Sequence, residues 1–437
     1  MADSTLRAAT AGLPVRSIQL TVALEPTISR VFGGERISIG SAEGNDLVVR
    51  HPTVSRFHLS LERDAAEVRV TDLGSTNGTR IGPVVVRDAS VSLAGPATLK
   101  LGDISIQVDD GEVVMQSLHG AEALGGLRGK SPAMRRLMAD VRKLAESDVS
   151  VLLIGESGTG KELIARAIHD ESRRASQPFV VVDCAAIPPS MFAAELFGHE
   201  RGAFTGAERR RAGALERADG GTVFLDELGE LPAALQAALL GALERRRFTR
   251  IGGSEEVPVD VRVVSATNRD LRKDVNSGTF RLDLFYRLGV VVLEVPALRR
   301  HPEDIPLLIQ HFLAEAGATE EASSLFSEEV VRQLMAYPWP GNVRELRNLV
   351  ASALAMGRKP SLDAVTTAAP GGADHDVIES VLSLSYKEAR GELLERFERR
   401  YLEALLQRSE GNVRRAARVA QMNRSYLIDL LKRHDIR

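Results

Sequence analysis

Ile18, Leu20, Val22 and Leu24 alternate with polar residues, the two-residue period of a strand with one buried face. Turn-forming pairs recur at Gly33-Gly34, Asn45-Asp46, Asn77-Gly78 and Gly102-Asp103. Many short strands with regular turns predict an all-β sandwich over residues 17–109. The pattern then changes. Val149–Ile154 is a continuous apolar run, as a parallel strand buried on both faces requires. Val223–Leu225 and Val261–Ala266 repeat it, with helical stretches between, so residues 129–357 predict an α/β domain. A third, helical pattern fills residues 386–437. Leu393–Arg408 forms one helix pattern, Glu410-Gly411-Asn412 breaks it, and Asn412 is a good cap for the next helix. Val413–Ala420 and Arg424–His434 make two more. Residues 110–128 and 358–385, rich in small residues, read as linkers.

Composition changes this picture little. The 437 residues are 44% hydrophobic and 26% charged, ordinary usage for a soluble multidomain protein. No apolar run approaches the ~18 residues of a membrane span, so no membrane partner is expected. Cys184 is the sole cysteine, which precludes an intrachain disulfide and suits a reducing cytoplasm. Net charge is −3, yet residues 408–437 hold eight Lys/Arg against three Asp/Glu. A basic end on an acidic body is the asymmetry of an appended nucleic-acid module.

Two segments carry phosphate chemistry. Gly155-Glu156-Ser157-Gly158-Thr159-Gly160-Lys161-Glu162 follows an apolar strand and opens a helix. Its glycines let backbone N–H groups curl around phosphate oxygens at a helix N-terminus, with Lys161 reaching the β/γ-phosphates of ATP. Glu162 stands where the general pattern has Ser or Thr. Gly220-Gly221-Thr222-Val223-Phe224-Leu225-Asp226-Glu227 ends an apolar strand in two acids, placing both carboxylates at a sheet's ligand-binding edge. Asp226 is the candidate Mg2+ ligand, directly or through water. Glu227 is the candidate base for the attacking water.

About forty residues past the phosphate loop lies Gly202-Ala203-Phe204-Thr205-Gly206-Ala207, flanked by Glu200, Arg201 and Glu208–Arg211. An aromatic residue held between glycines and charges is a candidate contact for a partner. In that setting the string resembles the signature of the bacterial sigma-54-dependent transcription activators, a branch of the AAA+ ATPases. Glu162 is what that family carries. The resemblance implies further roles. Thr267 and Asn268 match the sensor I position facing the γ-phosphate. Arg281 and Arg287 match the arginine-finger region, which serves a neighbouring subunit's nucleotide, and either can be the finger. Arg344, in Trp339–Leu346, matches sensor II in a helical lid that starts near residue 298. Trp339 packs in that lid. Asp183 replaces the Asn that many members place before Cys-Ala-Ala to restrain the catalytic glutamate, so an altered switch is expected. Cys184 reads as a small buried residue.

The resemblance further implies a homo-oligomeric ring, by analogy a hexamer. Its loop 202–207 pushes on sigma-54 RNA polymerase holoenzyme and turns a closed complex into an open one. The tail resembles the family's Fis-type helix-turn-helix, binding enhancer DNA upstream of the promoter. There Leu427 and Leu431, spaced i,i+4, face the core. Asn423, Arg424, Ser425, Tyr426, Asp429, Lys432 and Arg433 are the candidate DNA contacts. Gln421 stands where the family's turn carries Gly. Asp429 and Leu430 stand where basic residues are common. Rival classes, an AAA+ unfoldase or a non-hydrolysing adaptor, sit poorly with the tail and with intact Lys161, Asp226 and Glu227.

Ile37–Gly40, Ser55-Arg56-Phe57-His58 and Thr71–Thr79 resemble the forkhead-associated (FHA) domain, a sandwich that binds phosphothreonine peptides through loops at one end. The resemblance implies Ser55 on the phosphate, Asn77 on the peptide backbone, and His58 as a buttress of the loop. Ser41 replaces the usual phosphate-clamping Arg, and Arg56 is the candidate replacement cation. The alternatives are a phosphothreonine partner or a scaffold for protein contacts, repressing or activating.

Overall fold

The structure is a computed structural model. It describes residues 11–24, 26–33, 36–64, 67–318 and 324–360, and in the C-terminal part residues 394, 398, 402, 405, 413, 415, 417, 422, 427, 430, 431, 433 and 434. The chain divides into two compact units, Met1–Arg358 and Lys359–Arg437. Among the described residues the first unit opens with two sheets. One is formed by β1 (Ala11–Val22), β2 (Ile28–Phe32), β7 (Thr79–Ile81), β8 (Val84–Val86), β10 (Ala97–Leu101) and β11 (Ile104–Leu118), in the order β2-β1-β11-β10-β7-β8. The other holds β3 (Arg36–Gly40), β4 (Leu47–Val48), β5 (Leu59–Asp64), β6 (Glu67–Asp72) and β9 (Ser90–Leu93), in the order β4-β3-β5-β6-β9. Leu20, Ile39, Leu59, Leu61, Val70, Leu99 and Ile106 fill the space between them. Alternate residues point inward because side chains alternate across a strand.

This sandwich is larger than the sequence pattern suggests. β1 begins at Ala11, and β11 runs to Leu118, pairing Ala11 with Leu118. Residues 110–118, read above as linker, are therefore strand. Small and polar residues there hide a ribbon whose hydrogen bonds come from β1. A short hairpin follows, β12 (Ala123–Leu124) and β13 (Leu127–Arg128).

The α/β part is a parallel sheet of β14 (Val151–Ile154), β15 (Phe179–Asp183), β18 (Thr222–Asp226), β21 (Arg262–Thr267) and β22 (Val291–Glu294), in the order β15-β18-β21-β14-β22. Its apolar runs are continuous because both faces are covered. Val151, Leu153, Phe224 and Val264 pack against α1 (Pro132–Ala145) and α2 (Lys161–Asp170). Leu152, Val182, Val223, Leu225 and Val263 pack on the opposite side. That side holds α3 (Pro189–Phe197), α4 (Ala214–Arg217), α5 (Ala233–Arg245), α6 (Leu271–Ser277) and α7 (Leu282–Leu288). Hairpins β16 (Gly198–His199)/β17 (Arg211–Ala212) and β19 (Arg247–Thr249)/β20 (Glu256–Pro258) project from it. A lid of α8 (Ile305–Glu315), α9 (Glu328–Ala336) and α10 (Asn342–Met356) closes the unit. Trp339 is fully buried there and donates Nε1–H to the Leu334 carbonyl (2.8 Å).

In the second unit Leu402, Leu405, Ala417, Leu427, Leu430 and Leu431 form a core. Leu427 and Leu431 face inward as their spacing requires. Leu430 joins them, so the apolar residue at that position is a core side chain rather than a lost phosphate contact. His434 bonds Glu398 across the unit (2.8 Å).

Candidate functional site

Four strands deliver the candidate residues to one edge. Ile154 pairs in register with Thr267, and Asp226 with Asp183, so the ends of β14, β21, β18 and β15 align. The phosphate loop leaves β14 there and enters α2. Gly158 and Gly160 take φ of 79° and 92°, which glycine adopts at little cost. A Cβ on Gly158 would lie 2.3 Å from the Gly341 carbonyl, so the lid closes to backbone contact. Lys161 is 6% exposed and donates Nζ to the Gly155 and Glu156 carbonyls (2.8 and 3.1 Å). Burial pulls its ammonium down, and the charges of Glu227 and Asp226 oppose this. Burial pushes the Asp226 carboxyl up; the Glu227 N–H and Lys161 oppose it, while Asp183 adds to it. Glu227 holds φ 48°, a left-handed conformation that costs a non-glycine residue about 1–2 kcal/mol. Its Oε2 accepts the Asn268 N–H (3.3 Å). Thr267 is buried, and its Oγ1 accepts the Arg269 N–H.

The lid completes the site. Arg344 donates to Ser157 Oγ (2.9 Å), and Asn342 donates to Glu156 Oε2 and the Ser157 carbonyl (both 3.1 Å). Arg299 grips Glu156 with both guanidinium arms, which together with Asn342 holds that carboxyl at about 2. Thr159 caps the loop through the Glu156 carbonyl, and Glu162 lies exposed on the first turn of α2. A buried ammonium, glycine-lined N–H groups and two carboxylates fit a magnesium nucleotide polyphosphate. Arg281 and Arg287 do not join them. Arg281 is exposed and paired with Asp283 (2.7 Å), and Arg287 donates to the Leu243 carbonyl (2.9 Å).

Asp183 does not bond Glu227. Its Oδ1 accepts the Ala185 and Ala186 N–H groups (2.9 and 3.2 Å), a local turn that short carboxylates form readily. Cys184 is buried, which pushes its thiol up to about 12.

The turn leads into α3, and α3 leads into β16 and the loop 202–207. Gly202 and Gly206 have φ of 81° and 100°, and the loop closes on itself by Gly202 N–H to the Ala207 carbonyl (2.8 Å). Ala203 is partly exposed and Ala207 buried. Phe204 is 42% exposed and meets His199 edge-on at 4.9 Å. Thr205 is exposed beside it. Beneath lies a clamp that sequence reasoning missed. Arg250, buried, binds Glu216 through two bonds (2.7 and 3.0 Å) and Glu200 at 3.1 Å. The only signal was the crowd of charges around the loop, which fixes no partners.

At the FHA loops, Ser55 Oγ accepts the Thr76 N–H (3.0 Å) and Asn77 donates to the Thr53 carbonyl (2.8 Å). His58 buttresses them: Nδ1 accepts the Ser55 N–H (3.1 Å), leaving the proton on Nε2 toward the Gly78 carbonyl. The Arg56 guanidinium donates to the Asn276 carbonyl of α6 (3.4 Å). Burial holds the His58 imidazole below its ordinary value. As pH falls below about 6.5 the unfolded chain therefore binds a proton the folded chain refuses, and folded stability is lost. A lower melting temperature for this domain at about pH 5.5 than at about pH 7.5 is expected, with the difference reduced in His58→Gln.

Of the candidate DNA contacts, Arg433 is exposed on a helix. Asn423, Arg424, Ser425, Tyr426, Asp429 and Lys432 lie outside the described residues, as does Gln421.

Sequence profiles match four stretches of the chain. The sigma-54 interaction domain matches residues 127–294, the AAA+ ATPase lid domain 299–367, the FHA domain 37–108, and the Fis family of bacterial regulatory proteins 393–434. Transcriptional regulatory protein GlrR of Escherichia coli K12 is 45% identical over 309 residues, covering 70% of this chain and 67% of that protein. Regulatory protein AtoC of the same strain is 44% identical, covering 74% and 70%. The crystal structure of NtrX from Brucella abortus is similar at 38% identity and TM-score 0.51, covering 70% of this chain and 69% of that one. NtrX in complex with ATP is similar at 37% and 0.51, covering 72% and 70%. With a phosphate loop, paired acids and an exposed Phe-Thr loop in one AAA+ domain, and a Fis-type tail behind it, the chain belongs to the sigma-54-dependent transcriptional regulators.

Proposed function

We propose that this chain is an ATP-driven activator that opens promoters held closed by sigma-54 RNA polymerase holoenzyme. The observation that carries it is the continuous path from the nucleotide edge to the loop tip. Asp183 sits in register with Asp226 and caps the turn before α3. That helix, nine residues and about 13 Å long, ends at the base of the loop presenting Phe204 and Thr205. A displacement at one end reaches the other through a rigid element.

Bound ATP supplies the phosphoanhydride, and Mg2+ supplies positive charge beside it. The chain's residues do the rest. Lys161 and the loop N–H groups of residues 155–160 neutralise phosphate charge. Asp226 holds the metal, and Glu227 orients water and takes its proton. Thr267, Asn268 and Arg344 sense whether the γ-phosphate is present. Arg281 or Arg287 serves the nucleotide of an adjoining subunit in a ring. The tail holds the ring on DNA upstream of the promoter. A phosphothreonine protein at Ser55 and Asn77 is the signal. No helix in the described residues is long and apolar enough to cross a membrane, and the protein acts in the cytoplasm.

The first test is ATP hydrolysis by the full chain as its concentration is raised. A rate per subunit that climbs with concentration is expected, because the finger comes from a neighbour. A flat rate contradicts the ring. For the tail, Arg424→Ala costs about 1–3 kcal/mol of specific binding if it reads a base. Footprinting on upstream DNA measures this; unchanged affinity removes Arg424 from the contacts.

A further inference from the structure

A cavity of about 680 Å³ opens beside the β22 edge of the AAA+ sheet. Leu137 of α1 and Pro296, just past β22, stand on its wall, and the FHA turn 43–46 lines it as well. That volume suits a small organic molecule better than a lone ion. The phosphate loop reaches the cavity through Gly155 and Glu156, whereas Lys161, Asp226 and Glu227 do not line it. Neither do Ser55 and Asn77 of the FHA loops. The space is therefore separate from both sites described above.

Arg272 of α6 sets the chemistry of this cavity. It stands on the wall and is only 6% exposed. Among the described residues its guanidinium has no hydrogen bond or ion pair, and its Nε is buried without a partner. Three acids act on it by charge, Asp270, Glu294 and Asp46, and all three are engaged elsewhere. Asp270 accepts the backbone N–H of Arg272 (3.1 Å) and pairs with Arg36 (3.6 Å). Glu294 pairs with Arg36 (2.7 Å). Asp46 accepts the N–H and Oγ–H of Ser38 (2.7 and 2.6 Å). Burial pulls the Arg272 guanidinium below its ordinary value, and the positive charge of Arg36 adds to this. A buried cation without a countercharge is costly. The fold accepts that cost at the wall of a space large enough to admit an anion. We propose that this cavity is a binding site for a small organic anion, with a carboxylate or phosphate group seated on Arg272 and an apolar part against Leu137 and Pro296. The planar guanidinium fork matches either group through two parallel hydrogen bonds. The ligand supplies the countercharge that the chain withholds.

Benzoate and phenyl phosphate serve as probes, because each joins one of the two anionic groups to the same apolar ring. Each is titrated by calorimetry into the full chain, with Mg-ADP present to fill the phosphate loop. The tighter probe tells carboxylate from phosphate. Arg272→Met runs beside wild type, since it keeps an unbranched side chain and drops the charge. Replacing an unpaired buried charge by an apolar chain does not destabilise a fold. The variant is therefore expected to melt at or above the wild-type temperature when no probe is present. With probe, wild type is expected to melt higher and the variant to stay where it was. At least one probe is expected to bind wild type, and to bind Arg272→Met at least about tenfold more weakly. Equal binding by Arg272→Met, or no binding of either probe to wild type at ~10 mM, overturns the site. A variant that melts well below wild type without probe also overturns it, because Arg272 would then be a structural cation with its countercharge already in the fold.

Discussion

Glu227→Gln binds nucleotide and does not hydrolyse it. The amide keeps the side chain's size and can still accept the Asn268 N–H through its oxygen, so the sheet edge keeps its shape. What it loses is the basic carboxylate that takes a proton from water. Removal of a positioned general base typically costs about 10²–10⁴-fold. Lys161→Ala is expected to fail one step earlier, at binding. Lys161 is the buried cation facing Asp226 and Glu227, and removing it leaves two carboxylates to repel the phosphates. Fluorescent-nucleotide titration beside single-turnover hydrolysis separates the two variants. Hydrolysis by Glu227→Gln within about tenfold of wild type would remove Glu227 as the base.

Thr205→Ala hydrolyses ATP within about twofold of wild type and opens no promoter. Thr205 is exposed at the tip of a loop whose base is fixed by Arg250 and whose Phe204 rests on His199. The substitution therefore leaves the nucleotide edge undisturbed. A contact residue at the centre of a partner surface is worth about 2 kcal/mol or more, roughly thirtyfold in engagement. The loop's small size concentrates that loss, since Gly202, Gly206 and Ala207 offer little surface of their own. Cross-linking of the loop to sigma-54, with hydrolysis measured in the same sample, reads both halves. Equal loss of hydrolysis and engagement would place Thr205 in the ATPase machinery instead.

Much of this was legible in the sequence because motifs and periodicities are local. The phosphate loop, the Asp226-Glu227 pair and the loop 202–207 each sit within eight residues. The edge shared by the first two follows from three apolar runs that a parallel sheet must bury. Interactions between distant segments were not legible. The pairing of Ala11 with Leu118 sets the length of β1 and β11, and no single stretch of sequence states it. Leu430 looked like a missing DNA contact because its helix was read one face at a time, whereas the tail's core takes three of that helix's residues. Asp183 in place of the usual Asn implies an altered switch. Two backbone N–H groups next to it hold it in a turn, and its charge is felt at Asp226. Arg56 reaches the Asn276 carbonyl of the AAA+ domain, a contact that depends on where α6 lies.

The measurement that bears most directly on the central claim is open-complex formation by sigma-54 holoenzyme on a sigma-54 promoter, with ATP and the purified full chain. Thr205→Ala and Glu227→Gln run beside it. The expected result is opening by wild type and by neither site variant, with Thr205→Ala still hydrolysing ATP. Hydrolysis by wild type without any promoter opening would contradict the claim that this ATPase remodels sigma-54 polymerase.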